Sequence, residues 1–369
     1  MTGSLGVSGG IAKANLNVMQ ALDRVSRETD TSFEVLSLLD TAEHRPTFLS
    51  EDVQFRPFGG DKKAFALQLL KASSRNTLFC FDHVSLSLPL LPLMASGRTR
   101  AVIFNHGSES WKKLQRLNRL SLGAASMCLT NSNYTLSKMR QHVARFNGVA
   151  CQLGLPPDFE LNHQPVMTNG LRLGFDAADG QTRFLGDRVL LLVSRMHPTE
   201  RQKGHRELIN IMPRLLERFP NVQMVFAGTG DDLSTLLELA RTSSAASSIF
   251  FPGFLPNEQL RQLYQHSYAF VMPSKQEGFG QTYLEAMNFA KPCIGCFDQG
   301  AEDVITQSET GFLVKEPGDS AELLTVLSDL LIDPERASSM GLNGFRKLHD
   351  HFTSAHHQAR VQEHISALL

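Results

Sequence analysis

Two carboxylates, Glu277 and Glu285, flank a Gly-X-Gly bend in the run Glu277-Gly278-Phe279-Gly280-Gln281-Thr282-Tyr283-Leu284-Glu285. A short apolar run, Tyr268-Ala269-Phe270-Val271-Met272, precedes it and stops at Pro273-Ser274. A helical pattern follows over residues 281–290. A strand, a glycine bend and a helix start together make an anion site. The first helical N–H groups have no partner inside the helix, and the helix dipole favours negative charge there. Glycine lets a ligand approach the backbone closely. The N–H groups of Gly278, Phe279, Gly280, Gln281 and Thr282 would then bind phosphate oxygens. Glu277 before the bend and Glu285 inside the helix would take hydroxyls on either side of a diphosphate. That is the layout of a nucleotide-sugar, with a hexose at one end and a ribose at the other. An isolated pair of acids at this spacing would say little, because acids are common. The bend and the preceding strand give it weight.

The run resembles the E-x7-E signature of retaining glycosyltransferases of family 4, which have the GT-B fold. Other segments resemble the same family: Ser194-Arg195-Met196, Arg201-Gln202-Lys203-Gly204-His205, Val225-Phe226-Ala227-Gly228-Thr229-Gly230 and Phe251-Pro252-Gly253-Phe254-Leu255. So do Lys291-Pro292-Cys293-Ile294-Gly295, Thr310-Gly311-Phe312-Leu313-Val314 and, earlier, Gly9-Gly10, Asn105-His106-Gly107 and Thr130-Asn131-Ser132. The resemblance implies an α/β protein of two Rossmann-like parallel-sheet domains facing across a cleft. It implies transfer of a hexose, with retention of configuration, from a UDP- or GDP-linked sugar to a hydroxyl of a glycan or lipid-linked acceptor, in the making of a surface polysaccharide. No cofactor beyond the sugar nucleotide is expected.

Under that resemblance, Arg195 and Lys203 would neutralise the diphosphate as charge builds on it, with Arg201 a rival for either place. No Asp-x-Asp metal motif stands out, and Asp231-Asp232 reads as a helix start after Gly230. A metal is therefore not expected. The base would lie near Phe254 and Leu255 against backbone. Gly10, with Gly9, would bring the first domain's backbone to the diphosphate, or would be a plain glycine turn into a helix. His106 would face the donor sugar, or would simply open a helix. Two rivals stay open: another GT-B enzyme such as a phosphorylase or sugar-nucleotide epimerase, and a catalytically inactive nucleotide-binding partner protein.

Composition bounds these readings. The chain has 369 residues and a formal net charge of −1. It is long enough for two cores, and its charge balance argues against a broad nucleic-acid surface. The first residues show neither a charged nor an apolar leader region. A cytoplasmic setting is expected, with peripheral contact at the inner membrane face through the basic, apolar segment 111–120 as a further option. Five cysteines form no framework, and Cys293-Ile294-Gly295-Cys296 reads as a buried strand.

Apolar runs alternate with helical segments, the pattern of parallel α/β domains. Residues 1–160 form the expected first domain, 187–350 the donor domain and 351–369 a closing helix. The irregular stretch 156–186, rich in Pro, Asn, Asp and Gly, is read as the boundary. One element is lacking. Only eight residues precede Gly9, and they make a poor strand. The first sheet should therefore miss its central strand, or fill the place with an irregular segment around residues 5–8.

Overall fold

Each apolar run of the sequence becomes a strand of a parallel sheet, and the helical segments between them cover the faces. The computed structural model describes residues 1–3, 10–107, 114–165, 172–316 and 318–369. The chain divides into two units, Met1–Glu160 with His351–Leu369, and Leu161–Asp350.

The first unit runs α1 (Gly10–Glu28), β1 (Glu34–Ser37), β2 (Gln54–Pro57), α2 (Lys62–Ala72), β3 (Leu78–Phe81), α3 (Leu91–Ala95), β4 (Arg100–Asn105), α4 (Arg116–Ala124), β5 (Met127–Thr130), α5 (Asn133–His142) and β6 (Gly148–Ala150). Its strands fall into two parallel sheets, β1-β2 and β3-β4-β5-β6. Among the described residues no strand joins these two sheets. Residues 5–8 and Gly9 fall outside the described residues, and Met1 and Thr2 stand at the gap instead. The Met1 amino group donates to the Leu36 carbonyl at 2.7 Å, and Leu38 N–H donates to the Met1 carbonyl at 3.0 Å. Helix α1 buries Val18, Ala21 and Val25 against Val102, Phe104 and Leu129. The C-terminal helix, Ser354–Ser366, adds Val361 and Ile365 to that core. Each of the valine, leucine, isoleucine and phenylalanine side chains contributes roughly 1.5–3 kcal/mol when taken from water.

The second unit starts with a hairpin of β7 (Gly174–Asp176) and β8 (Thr182–Phe184). The stretch expected as an irregular boundary thus carries structure, and Ala177 bridges to Phe250. Six parallel strands follow: β9 (Arg188–Val193), β10 (Val222–Ala227), β11 (Ile249–Gly253), β12 (Ala269–Val271), β13 (Cys293–Cys296) and β14 (Gly311–Val314). Their order is β11-β10-β9-β12-β13-β14. The connecting helices are α6 (His205–Arg218), α7 (Leu233–Arg241), α8 (Asn257–His266), α9 (Gln281–Met287), α10 (Ala301–Val304), α11 (Ser320–Ile332) and α12 (Pro334–His351). Leu190, Leu191, Leu192, Val225 and Phe226 are fully buried. Strands covered on both faces read as continuous apolar runs, which is why these were legible. The chain leaves β9 toward β10 on one side and returns to β12 on the other. The crevice beyond the carboxyl ends of β9 and β12 is therefore the switch point where ligands bind in such sheets.

One expectation needs correction. The helix over 281–290 stops at Met287. Ala290 has φ 53°, and Pro292 pushes the residue before it out of helical geometry. Within the basic, apolar segment 111–120 the described helix begins at Arg116, while Trp111, Lys112 and Lys113 lie outside the described residues. Cys293 and Cys296 are both buried in β13, three positions apart, so their side chains leave on opposite faces. Burial pushes the Cys296 thiol up to about 12.

Candidate active site

The site grows from the ends of β9 and β12. After β12, Pro273 and Ser274 end the strand and the chain turns through Gln276, at φ 64°, into Glu277. Gly280 then takes φ 86° and ψ 64° immediately before α9. A Cβ at Gly280 would stand 2.4 Å from the Tyr283 ring, so both its conformation and its space require glycine. Tyr283 is fully buried, and its hydroxyl donates to the Met272 carbonyl at 2.6 Å. That bond ties the first turn of α9 to the end of β12. Gln299 and Gly300 hold the bend from the far side. The Glu277 N–H donates to the Gln299 side-chain oxygen at 3.2 Å, and Gly300 N–H donates to the Glu277 carbonyl at 2.8 Å.

Of the expected residues, the structure brings Lys203 and Glu277 together. The Lys203 ammonium donates to a Glu277 carboxylate oxygen at 2.6 Å. Both side chains are largely buried, at 19% and 11% exposure. A shielded pair interacts far more strongly than an exposed one, and removing one member leaves the other charge uncompensated. Lys203 is held there by a short turn, Pro198–Lys203, which closes on Gly204 in left-handed geometry. Arg195 follows β9 as expected, yet its guanidinium bonds to Glu200 and is 70% exposed. Arg201 lies 3.8 Å from the buried Asp232, which Arg206 also holds at 3.1 Å. Asp232 stands directly before α7, as the sequence indicated, and gains a charge partner the sequence did not disclose.

Glu285 is buried, at 3% exposure. The Tyr264 hydroxyl donates to one of its carboxylate oxygens at 2.8 Å. Burial, and then the Glu285 charge, push that hydroxyl well above the usual phenol range, so it stays a donor. An acid on a surface helix would have neither burial nor such a partner. Phe279 and Leu255 are buried, so both side chains belong to the core. Phe254 is 70% exposed at the end of β11. Gln281 is buried and Thr282 half-buried at the start of α9.

In the first unit, Gly10 is the exposed first residue of α1. His106 follows β4 and is half-buried, and its carbonyl accepts from the Asn131 amide.

Sequence reasoning missed Tyr264, Gln299, Glu200 and His205. Tyr264 had a signal: Leu260, Leu263 and Tyr264 recur at helical spacing along α8, and a tyrosine on a buried stripe needs a hydroxyl partner. His205 opens α6, buried, 3.1 Å from the Ser194 hydroxyl. Burial, and then Lys203, lower its pKa to about 4, so the ring is neutral at pH 7. Gln299 and Glu200 lie in loops with no pattern to mark them.

With this geometry in hand, the resemblances to known proteins can be weighed. Residues 176–347 match the family described as glycosyl transferases group 1. A GDP-mannose-dependent phosphatidylinositol monomannoside mannosyltransferase of Mycolicibacterium smegmatis is 29% identical over 289 residues, covering 73% of this chain and 71% of that protein. The solved structure of Anabaena Alr3699/HepE with UDP and glucose superposes with a TM-score of 0.71 at 18% identity, over 100% of this chain and 97% of that one. The chain has the GT-B fold. A further relative is the sulfoquinovosyl transferase SQD2 of Arabidopsis thaliana, 28% identical over 228 residues, 56% of this chain and 44% of its own length. The match to the group 1 family falls on the second unit of this chain, where the bend and both glutamates lie.

Proposed function

We propose that this protein is a glycosyltransferase that moves a hexosyl group, with retention of configuration, from a nucleoside-diphosphate sugar to a hydroxyl of a glycan or lipid-linked acceptor in surface-polysaccharide synthesis. The observation that carries this reading is the Lys203–Glu277 pair, set beside a glycine bend at the switch point of a parallel sheet. The glycosidic C1–O bond breaks with negative charge growing on the departing phosphate oxygen. Lys203, Arg195 and the N–H groups of Gly278, Phe279, Gly280, Gln281 and Thr282 would stabilise that charge, in place from the start. The acceptor hydroxyl attacks C1 on the same face and passes its proton to the leaving phosphate. Glu277 would grip the hydroxyls of the transferred sugar while holding Lys203 in position. Glu285 would take the ribose, its carboxylate fixed by Tyr264. His106 and Gly10 keep the roles that the family resemblance gives them, and the base would rest near Phe254 and Leu255.

The likeness to the GDP-mannose-dependent phosphatidylinositol monomannoside mannosyltransferase supports a GDP-linked donor and a lipid-linked acceptor, and the likeness to the Anabaena structure with UDP and glucose supports a UDP-linked donor. Among the described residues no helix is long and apolar enough to cross a membrane. Work at the inner membrane face would therefore rest on peripheral contact, for which the exposed Leu117 and Leu120 of α4 are the described candidates. Single-turnover release of UDP or GDP from a panel of nucleotide sugars tests the reading. Release dependent on an added acceptor and surviving EDTA is expected. Binding of a nucleotide with no release from any sugar donor would favour an inactive binder, and a strict need for magnesium or manganese would overturn neutralisation by side chains.

A further inference from the structure

The two cations of the candidate donor site are each matched by an acid of the second unit. Lys203 pairs with Glu277, and Arg195 pairs with Glu200. The four side chains together carry no net charge. As paired, they offer a diphosphate little net attraction. A diphosphate that takes its place there must draw at least one cation toward itself and away from its acid.

The pairs differ in how readily they part. Lys203 and Glu277 are both largely buried, and the Glu277 backbone is held by Gln299 and Gly300. Separating such a pair leaves each charge short of a partner and short of water. Arg195 is 70% exposed, against 20% for Glu200. An exposed pair is held weakly and is screened by salt. Arg195 lies two residues past the end of β9, on a long flexible side chain. Glu200 belongs to the turn Pro198–Lys203. Its N–H donates to the His197 carbonyl at 2.8 Å, and the Lys275 N–H donates to the Gln202 carbonyl of the same turn at 2.9 Å. The acid is therefore the fixed member of the pair and the guanidinium the movable one. Glu200 accepts from one nitrogen of Arg195, Nη2, which leaves the guanidinium other N–H groups for a phosphate.

We infer that Glu200 is an internal competitor for Arg195. Its carboxylate holds the guanidinium before the donor binds, yields it to the diphosphate, and takes it back as the nucleoside diphosphate leaves. The inference rests on the donor-site reading above and adds to it a residue that sets how tightly the product is held. The departing diphosphate carries more negative charge than the sugar nucleotide did, so it would hold the cations more tightly than the substrate does. A fixed carboxylate beside Arg195 offsets that gain.

The test is calorimetric titration of the full chain with UDP and with GDP. Glu200→Gln keeps the shape of the side chain and removes its charge. It should bind the preferred nucleotide about fivefold or more tightly, the scale of an exposed pair that no longer competes. The gain should shrink as salt rises, and Glu200→Ala should act in the same direction. In transfer assays, inhibition by the released nucleotide should strengthen by the same factor. In an Arg195→Ala chain, Glu200→Gln should change affinity by less than about twofold, because the contested cation is gone. Weaker binding by Glu200→Gln would mean that the carboxylate aims Arg195 at the phosphate, and would overturn the proposal. So would unchanged affinity, or equal tightening with and without Arg195. Each of these results would leave the donor site standing, since the unmodified chain would still bind nucleotide. An unmodified chain that binds neither UDP nor GDP would overturn the donor-site reading and this proposal with it.

Discussion

The sheets of the two units differ at one place, their centre. In the second unit β9 is flanked on both sides, by β10 and β12, and its residues Val189, Leu190, Leu191 and Leu192 have no exposed surface. In the first unit the corresponding lane between β1 and β3 holds a cavity and the two residues Met1 and Thr2. A complete centre fixes the strand ends, and the candidate donor site is built from those ends. Among the described residues, no strand lies between the facing edges of β1 and β3. Precision and openness are thus separated between the units, and each of the following changes should fall on one side of that division.

The largest effect is expected in the second unit. Glu277→Ala should lower turnover by about 100-fold or more, the scale of losing one preorganised transition-state contact, with nucleoside-diphosphate affinity nearly intact. Glu285→Ala should act in the other way, weakening nucleotide binding by about 1–3 kcal/mol, the scale of charge-assisted hydrogen bonds. Calorimetry with UDP and GDP, beside transfer assays, distinguishes the two. Equal losses of affinity would erase the division of roles. Next in size is acid sensitivity. The pKa of His205 is lowered from 6.5 to about 4. Between those values the unfolded chain binds a proton that the folded chain refuses. Stability from this group is complete above pH 6.5, falls with falling pH, and is lost below about 4. The second unit should therefore be about 2 kcal/mol less stable at pH 5 than at pH 7 on this account. His357 in the C-terminal helix, lowered by burial to about 3, imposes the same direction on the first unit. Urea unfolding at the two pH values checks this, and a His205→Gln chain with an unchanged pH slope would contradict it. Tyr264→Phe should be smaller still, about 1 kcal/mol in nucleotide affinity, since it removes one hydrogen bond to Glu285. The smallest effect is expected at α4, where Leu117→Ser and Leu120→Ser should change stability by less than about 0.5 kcal/mol because both side chains are exposed.

The sequence disclosed the parallel strands, because buried β-branched and leucine runs such as residues 188–193 have few other uses. It disclosed the glycine bend, because positive φ at Gly280 and its contact with Tyr283 leave no other residue type. The partners of the charges stayed hidden. Lys203 meets Glu277 across 74 residues of sequence, and Tyr264 meets Glu285 across 21. Such pairings depend on strand order, which no local pattern states. The length of α9 was overread for a related reason. Residues 288–290 carry helical periodicity, and the turn at Ala290 ahead of Pro292 ends the helix.

One measurement bears on both halves of this account: native-state hydrogen exchange with and without UDP or GDP. The account predicts high protection along residues 223–227 of β10 and lower protection at Glu34 and Leu36 of β1. It predicts that one of the nucleotides slows exchange at Gly278, Phe279, Gly280, Gln281 and Thr282. Equal protection of the two sheets would deny the open centre of the first unit, and exchange at the bend unmoved by either nucleotide would contradict the donor site itself.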